Sequence, residues 1–178
     1  RVAVVGAGPV GLVLALLLAR ARIPVLVVEQ GEALPTDLRA STFHPPTLEM
    51  LDGLGLAEGM IALGERTPTW QIRMHETGEK ALFDLSVLSG DTRYPFRLQC
   101  EQANLARLAL EALRREPGAE VRFSTRIVRA TQDDDRAELE TEAGERIAAR
   151  WVVGCDGARS IVRRALDIAF DGTTYPET

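Results

Sequence analysis

The stretch that decides the fold is VAVVGAGPVGLVLALLLAR, which runs from Val2 to Arg20 of the 178-residue chain. Its first four residues are apolar and mostly β-branched, as expected of a strand buried on both faces of a sheet. The glycine-rich turn Gly6–Gly11 follows, and the apolar run from Leu12 has the character of a buried helix. Because the glycines and the proline interrupt the uncharged segment, a strand, a turn and a helix explain it better than a membrane span.

Each glycine of the turn has a physical purpose if the turn binds a phosphate group. Gly6 permits the tight turn, Gly8 lets a pyrophosphate approach the backbone, and Gly11 lets the helix pack closely on the strand. The helix N-terminus that follows the turn offers unpaired N–H groups and the positive end of the helix dipole to the phosphates. The stretch therefore predicts a site for the pyrophosphate of a dinucleotide.

A second apolar strand, Val25–Val28, ends in Glu29, about 20 residues past the glycines. Dinucleotide-binding proteins place an acid there, which accepts hydrogen bonds from both ribose hydroxyls. A carboxylate at this position repels a 2′-phosphate, so the pattern predicts FAD or NAD rather than NADP. The residues alone do not separate FAD from NAD.

The rest of the chain adds helices and a group of short strands. Gly31–Arg39 is a predicted loop, and the apolar spacing of Thr47–Ile61 then predicts a broken helix. A hairpin is predicted at Trp70–His75 with Lys80–Asp84, and an amphipathic helix is predicted at Glu101–Arg115. A strand at Val121–Phe123 precedes a predicted β-meander of three strands, Ile127–Thr131, Ala137–Thr141 and Arg146–Ala149. The predicted fold is α/β, a Rossmann-like dinucleotide-binding domain with a parallel sheet, helices and a β-meander, and the hairpin points to a second, sheet-like region.

Composition argues against several other classes of protein. The net charge of −5 lacks the basic excess of most nucleic-acid-binding domains. The two cysteines, Cys100 and Cys155, and the two histidines, His44 and His75, have no metal-ligand or redox spacing. Without a signal-like segment or a membrane anchor, the cytoplasm is the expected location, and no metal is predicted.

Three polar residues are open to more than one interpretation. The apolar run Trp151–Gly154 is followed closely by Asp156, which is a turn residue or a ligand to a group held elsewhere. Arg39 is a solvated loop charge or a contact to the phosphates, and spacing alone favours the first. Gln102 caps or solvates a helix start, or it contacts a ligand.

Taken together, these motifs resemble the FAD-dependent group A aromatic monooxygenases, the p-hydroxybenzoate hydroxylase-like family. The resemblance runs from Val2 to about Tyr175. The matching stretches are VAVVGAGPVGLVLALLLAR with Glu29, RASTFHPPTLEMLDGLGL (Arg39–Leu56), Gln102, GCDGARSIVRR (Gly154–Arg164) and the F-x-G-x-x-Y pattern of Phe170–Tyr175.

The resemblance implies a set of FAD-binding positions. They are Gly6, Gly8, Pro9, Val10, Gly11, Glu29, Gln30, Arg39, Gln102, Ile127 and Asp156. By resemblance, Arg39 reaches FAD from its loop, Gln102 lies against the ribityl-phosphate region, and Asp156 bonds the ribityl chain. Arg159 and Ser160 are implied to hold the turn and to serve NAD(P)H. The strand Trp151–Gly154 is then expected to return beside Val2–Val5 and bring Asp156 to the cofactor.

The resemblance also implies an activity, hydroxylation of a small aromatic or phenolic substrate with NAD(P)H as co-substrate and O2. Because the cofactor carries such chemistry, no catalytic acid or base is assigned to this chain. The alternatives are an FAD oxidoreductase that does not insert oxygen, a plain dinucleotide-binding module and an NAD dehydrogenase domain. Gln102 and Asp156 argue against the last two, because they serve a flavin in the family.

The predicted domain organisation has three parts. Residues 1–66 and 100–170 form the FAD-binding domain, 67–99 form a β excursion toward the substrate domain, and 171–178 begin that domain. The chain opens inside a predicted strand and lacks the family's later Gly-Asp motif. We therefore expect a piece of a longer protein, which holds the adenosine half of the FAD site.

Overall fold

The computed structural model describes residues 1–36 and 40–173. Within these ranges the strands are β1 (Val2–Val5), β2 (Val25–Val28), β3 (Thr42–Phe43), β4 (Glu65–Thr67), β5 (Thr69–Arg73), β6 (Lys80–Asp84), β7 (Arg97–Gln99), β8 (Ala119–Arg122), β9 (Ile127–Gln132), β10 (Ala137–Thr141), β11 (Arg146–Ala149) and β12 (Trp151–Gly154). The helices are α1 (Pro9–Arg20), α2 (Pro45–Gly53), α3 (Ala57–Leu63), α4 (Gln102–Leu113) and α5 (Ile161–Ala165), with a 3-10 turn at Leu85–Leu88.

The chain divides into two compact units, one of Arg1–Leu34 with Leu113–Thr178 and one of Pro35–Ala112. The first unit contains a parallel sheet in the order β12-β1-β2-β8. Val2 pairs with Trp151 on one side and with Val25 on the other, so β12 lies directly beside β1. The prediction that Trp151–Gly154 returns beside the first strand is confirmed.

One face of the parallel sheet is covered by the β-meander, in which β10 pairs antiparallel with both β9 and β11. Ala3, Val5, Leu26 and Val28 form one buried cluster with meander residues that include Leu139 and Ile147. Side chains alternate along a strand, so Val4 and Val27 point to the opposite face. Both strands are buried along their whole length, which explains their unbroken apolar sequences.

The second unit contains a hairpin, a small three-stranded antiparallel sheet and helices. Strands β5 and β6 pair antiparallel, and Trp70 stacks on Phe83 with ring centroids 4.2 Å apart. The predicted broken helix is confirmed as α2 and α3, separated after Gly53 by a turn in which Gly55 has a φ of +61°. The antiparallel sheet β3-β7-β4 was not predicted, because strands of two or three residues carry too little periodicity.

The boundaries differ from the predicted ones by a few residues. Helix α1 begins at Pro9 rather than Leu12, because proline is favoured in the first helical turn. The predicted helix Glu101–Arg115 is shorter, at Gln102–Leu113, and the strand predicted at Val121–Phe123 lies at Ala119–Arg122. The fold class, α/β with a parallel sheet, helices and a β-meander, is confirmed.

Candidate cofactor site

Three segments meet at the carboxyl edge of the parallel sheet. The Gly6 N–H donates to the Val28 carbonyl at 2.8 Å, and the Cys155 N–H donates to the Val5 carbonyl at 2.8 Å. These bonds continue the pairing one residue past the ends of β1 and β12. The glycine turn, Glu29 and Asp156 therefore leave neighbouring strands at one edge, which is where open parallel sheets bind ligands.

The three turn glycines have different surroundings. Gly6 has a φ of +106°, and a Cβ there would overlap the carbonyl oxygen of Cys155. A Cβ on Gly11 would overlap the carbonyl oxygen of Gly6. At Gly8, in contrast, none of the described atoms beyond its chain neighbours lies within 4 Å of a Cβ position. Packing within the chain thus requires Gly6 and Gly11, whereas the space at Gly8 is open.

The open space at Gly8 lies at the start of helix α1. Gly8 is the N-cap, and among the described residues no side chain caps it and no acid occupies the first turn. The first helical bond runs from the Leu12 N–H to the Gly8 carbonyl at 3.0 Å. The N–H groups of Val10 and Gly11 therefore have no partner within the helix. Unpaired donors beside open space, at the positive end of a twelve-residue helix, fit a pyrophosphate.

The Glu29 carboxylate is held by two backbone groups. Its Oε2 accepts a hydrogen bond from the Ala7 N–H at 2.8 Å, and its Oε1 accepts one from the Gly31 N–H at 2.9 Å. A carboxylate has about four acceptor positions, so each oxygen keeps capacity for one more donor. This arrangement fits acceptance of two ribose hydroxyls. The two amide contacts were not predicted, because they depend on the fold and not on residue types.

Asp156 caps helix α5. Its Oδ1 accepts from the Ser160 hydroxyl at 2.6 Å, and its Oδ2 accepts from the N–H groups of Ile161 at 2.6 Å and Val162 at 3.4 Å. The Ser160 hydroxyl oxygen in turn accepts from the Arg163 N–H at 2.9 Å. Sequence analysis missed this capping network, although a serine directly before an apolar helical pair is a known N-cap signal.

The arginines after Asp156 also contact the turn. Arg163 donates to the Ala158 carbonyl at 2.9 Å, and its guanidinium lies 4.3 Å from the centre of the Phe170 ring. Arg164 donates to the carbonyls of Ser160 at 3.2 Å and Arg159 at 3.0 Å. These two arginines of α5 therefore stabilise the turn that precedes the helix.

The Cys155 thiol lies between the glycine turn and Asp156. Burial raises the pKa of this thiol, and the negative charge of Asp156 raises it further. A raised pKa keeps the thiol neutral and weakly nucleophilic near pH 7. Cys155 is thus a small, half-buried packing residue.

The remaining predicted positions fall in different places. Gln30 is exposed and follows Glu29, and the side chain of Ile127 is buried in the core cluster, which leaves only its backbone for a ligand. Gln102 belongs to the second unit, where it begins α4 and its N–H donates to the Ala40 carbonyl at 2.9 Å. Arg39 and Tyr175 lie outside the described residues.

Across residues 1–36 and 40–173, no helix has both the length and the apolar character needed to cross a bilayer. Within the same ranges, no three potential metal-ligating side chains lie close enough together to hold an ion.

A buried strand, an open glycine turn on a helix start, and a second strand ending in an acid define the class, a dinucleotide-binding α/β domain. Residues 1–177 match the FAD binding domain family, and the chain belongs to that family. Membership resolves the choice between FAD and NAD that the motif left open, in favour of FAD. The resemblance to FAD-dependent aromatic monooxygenases is confirmed by the relatives that follow.

Two relatives and one crystal structure are similar to this chain over nearly its whole length. Para-nitrophenol 4-monooxygenase of Pseudomonas sp. (strain WBC-3) is 39% identical over 180 residues, 99% of this chain and 44% of that protein. 6-Hydroxy-3-succinoylpyridine 3-monooxygenase HspB of Pseudomonas putida (strain DSM 28022 / S16) is 39% identical over 182 residues, 99% of this chain and 46% of that protein. The crystal structure of p-nitrophenol 4-monooxygenase PnpA from Pseudomonas putida DLL-E4 superposes with a TM-score of 0.90 at 38% identity, over 98% of this chain and 45% of that one. The chain spans less than half the length of these proteins.

Proposed function

We propose that this chain is the FAD-binding part of a flavin-dependent monooxygenase that hydroxylates a small aromatic or phenolic substrate with NAD(P)H and O2. The observation that carries the proposal is the open space at Gly8 beside the uncapped start of α1, in a chain 39% identical to two monooxygenases. A plain dinucleotide-binding module does not explain why the similarity covers 99% of the chain.

Each proposed cofactor residue has a physical role. Gly6, Gly8, Pro9, Val10 and Gly11 form the pyrophosphate turn, and Glu29 accepts the ribose hydroxyls. Gln30, Arg39, Gln102 and the backbone of Ile127 are proposed as further contacts, and Asp156 is proposed to meet the ribityl chain with an acceptor position that the α5 cap leaves free. Bound FAD supplies the redox and oxygen chemistry, and these residues bind and orient it.

Several finer parts belong to the same proposal. Residues 1–66 and 100–170 serve FAD, and 67–99, which contain the β5–β6 hairpin, extend toward a substrate domain. NAD(P)H is the reductant, and a cytoplasmic location agrees with the two free cysteines.

The direct test is a visible absorbance spectrum of the purified full-length protein, followed by denaturation and identification of the released nucleotide. We expect flavin bands, released FAD, and NAD(P)H oxidation that is stimulated by phenols and yields a hydroxylated product. A colourless protein that binds no added FAD would overturn the proposal. NAD(P)H oxidation without any hydroxylated product would favour the alternative, an FAD oxidoreductase that does not insert oxygen.

Asp156→Ala is expected to lower both stability and FAD occupancy of the full-length protein. Loss of the α5 cap costs about 1–2 kcal/mol of unfolding free energy, because the N–H groups of Ile161 and Val162 lose their acceptor. Thermal unfolding of the flavin-free protein measures the first effect, and flavin content after purification measures the second.

Asp156→Asn is the matched control, because its amide oxygen can still accept from the Ile161 N–H while its NH2 group donates to the Ser160 hydroxyl oxygen. If the Asn variant regains stability but not FAD occupancy, the charge of Asp156 acts on the cofactor. Full FAD occupancy in the Ala variant would exclude Asp156 as a ligand.

A further inference from the structure

The Glu29 carboxylate has two backbone partners within the chain, the N–H groups of Ala7 and Gly31. The segment Glu29–Gly31 folds back on one oxygen, and the glycine turn is bonded to the other through the Ala7 N–H. Ala7 is fully buried, so its N–H cannot exchange this acceptor for bulk water. Glu29, which is proposed to contact the ribose, is therefore also hydrogen-bonded to the glycine turn that is proposed to bind the pyrophosphate.

We propose that Glu29 is a positioning residue for the phosphate turn, in addition to its contact with the ribose; this inference rests on the proposed function of the site. The Ala7 N–H lies between Gly6, which is fixed against Cys155, and Gly8, beside which the space is open. By holding that N–H, the carboxylate keeps the turn in one shape before FAD arrives. A turn that is already ordered does not lose conformational freedom on binding, so affinity for the phosphate half rises.

Replacement by glutamine separates the two roles. Glu29→Gln keeps one oxygen but places an NH2 group where the other was, and an NH2 group cannot accept from a backbone N–H. Either Ala7 or Gly31 then loses its acceptor. The substitution also removes a negative charge near the phosphates, which by itself favours an anionic ligand. A weaker phosphate affinity in this variant consequently reports the turn and not the charge.

The experiment compares two ligands of the full-length, flavin-free protein, ADP and its 2′,3′-dideoxy analogue, by calorimetry or by competition with FAD. The analogue lacks the ribose hydroxyls, so any remaining effect of Glu29→Gln acts through the turn. We expect the Kd of ADP to rise about tenfold and the Kd of the analogue to rise about fivefold. Glu32→Gln, the same change at an exposed carboxylate three residues further along the chain, is the control and should alter the Kd of neither ligand.

Hydrogen–deuterium exchange of the flavin-free protein gives a readout that ribose binding alone does not affect. We expect faster exchange in peptides that cover the glycine turn of the Gln variant, and unchanged exchange in the Glu32 control. Unchanged exchange at the turn, or an analogue affinity equal to that of the wild type, would overturn the proposal. Should the Gln variant fail to fold, Glu29→Asp decides by the same measurements, because it keeps the charge and shortens the reach.

These results are distinguishable from a failure of the proposed function. If the wild-type protein binds neither FAD nor ADP, the proposed function is wrong. The exchange comparison still decides whether Glu29 orders the turn, since it needs no ligand.

Discussion

Gly6→Ala is expected to destabilise the first unit more than the other single substitutions proposed above. Gly6 has a φ of +106°, which residues with a side chain rarely adopt, and the added Cβ would overlap the Cys155 carbonyl. The obstacle is backbone directly after β12, held by the bond from the Cys155 N–H to the Val5 carbonyl, so it cannot move aside as a flexible side chain could. We expect a loss of about 3 kcal/mol or more of unfolding free energy, with little soluble, folded protein.

Thermal unfolding followed by circular dichroism measures this effect. Gly53→Ala is the control, because Gly53 is helical and none of the described atoms beyond its neighbours lies within 4 Å of its Cβ position. That control should be neutral or slightly stabilising, since alanine is the better helix former. A Gly6→Ala protein that unfolds at the wild-type temperature would contradict the close contact between the turn and β12.

Gly8→Ala is expected to leave the flavin-free protein folded and to weaken FAD binding about a hundredfold, equivalent to ~2.7 kcal/mol. The space around Gly8 is open in the chain, so the methyl group meets no described protein atom and the fold tolerates it. The same space is where the pyrophosphate must approach the backbone N–H groups of α1.

Titration of flavin-free protein with FAD, followed by flavin fluorescence, gives the affinity, and circular dichroism confirms the fold. The pair Gly6→Ala and Gly8→Ala is informative because the chemical change is the same while the expected losses differ in kind. If Gly8→Ala binds FAD as tightly as the wild type, the pyrophosphate does not lie over this turn.

Much of the first unit could be predicted from its sequence. The apolar runs of β1, β2 and β12 and the glycine spacing before α1 are strong local signals, and the structure has these elements within a few residues of the predicted bounds. That β12 lies beside β1 came from the family resemblance, because periodicity does not specify strand order. The class of site followed from the order of strand, turn, helix and acid.

The details of the site depended on contacts that local patterns do not encode. The hydrogen bond between Glu29 and Ala7 joins residues that follow two different strands, and no spacing rule anticipates it. The Asp156 cap was not predicted, because the contact with the Ile161 N–H spans five residues and depends on the shape of the turn between them. The contacts of the individual residues with FAD stay predictions, and Arg39 lies outside the described residues.

The contact between Gly6 and Cys155 has a consequence for synthesis of the protein on the ribosome. Strand β1 is translated well before one of its two neighbours, β12, because most of this chain lies between them. Pairing between such distant segments is slow, and the partly made sheet leaves an apolar edge exposed in the meantime. The turn at Gly6, which packs against Cys155, therefore reaches its final packing only after β12 has been made.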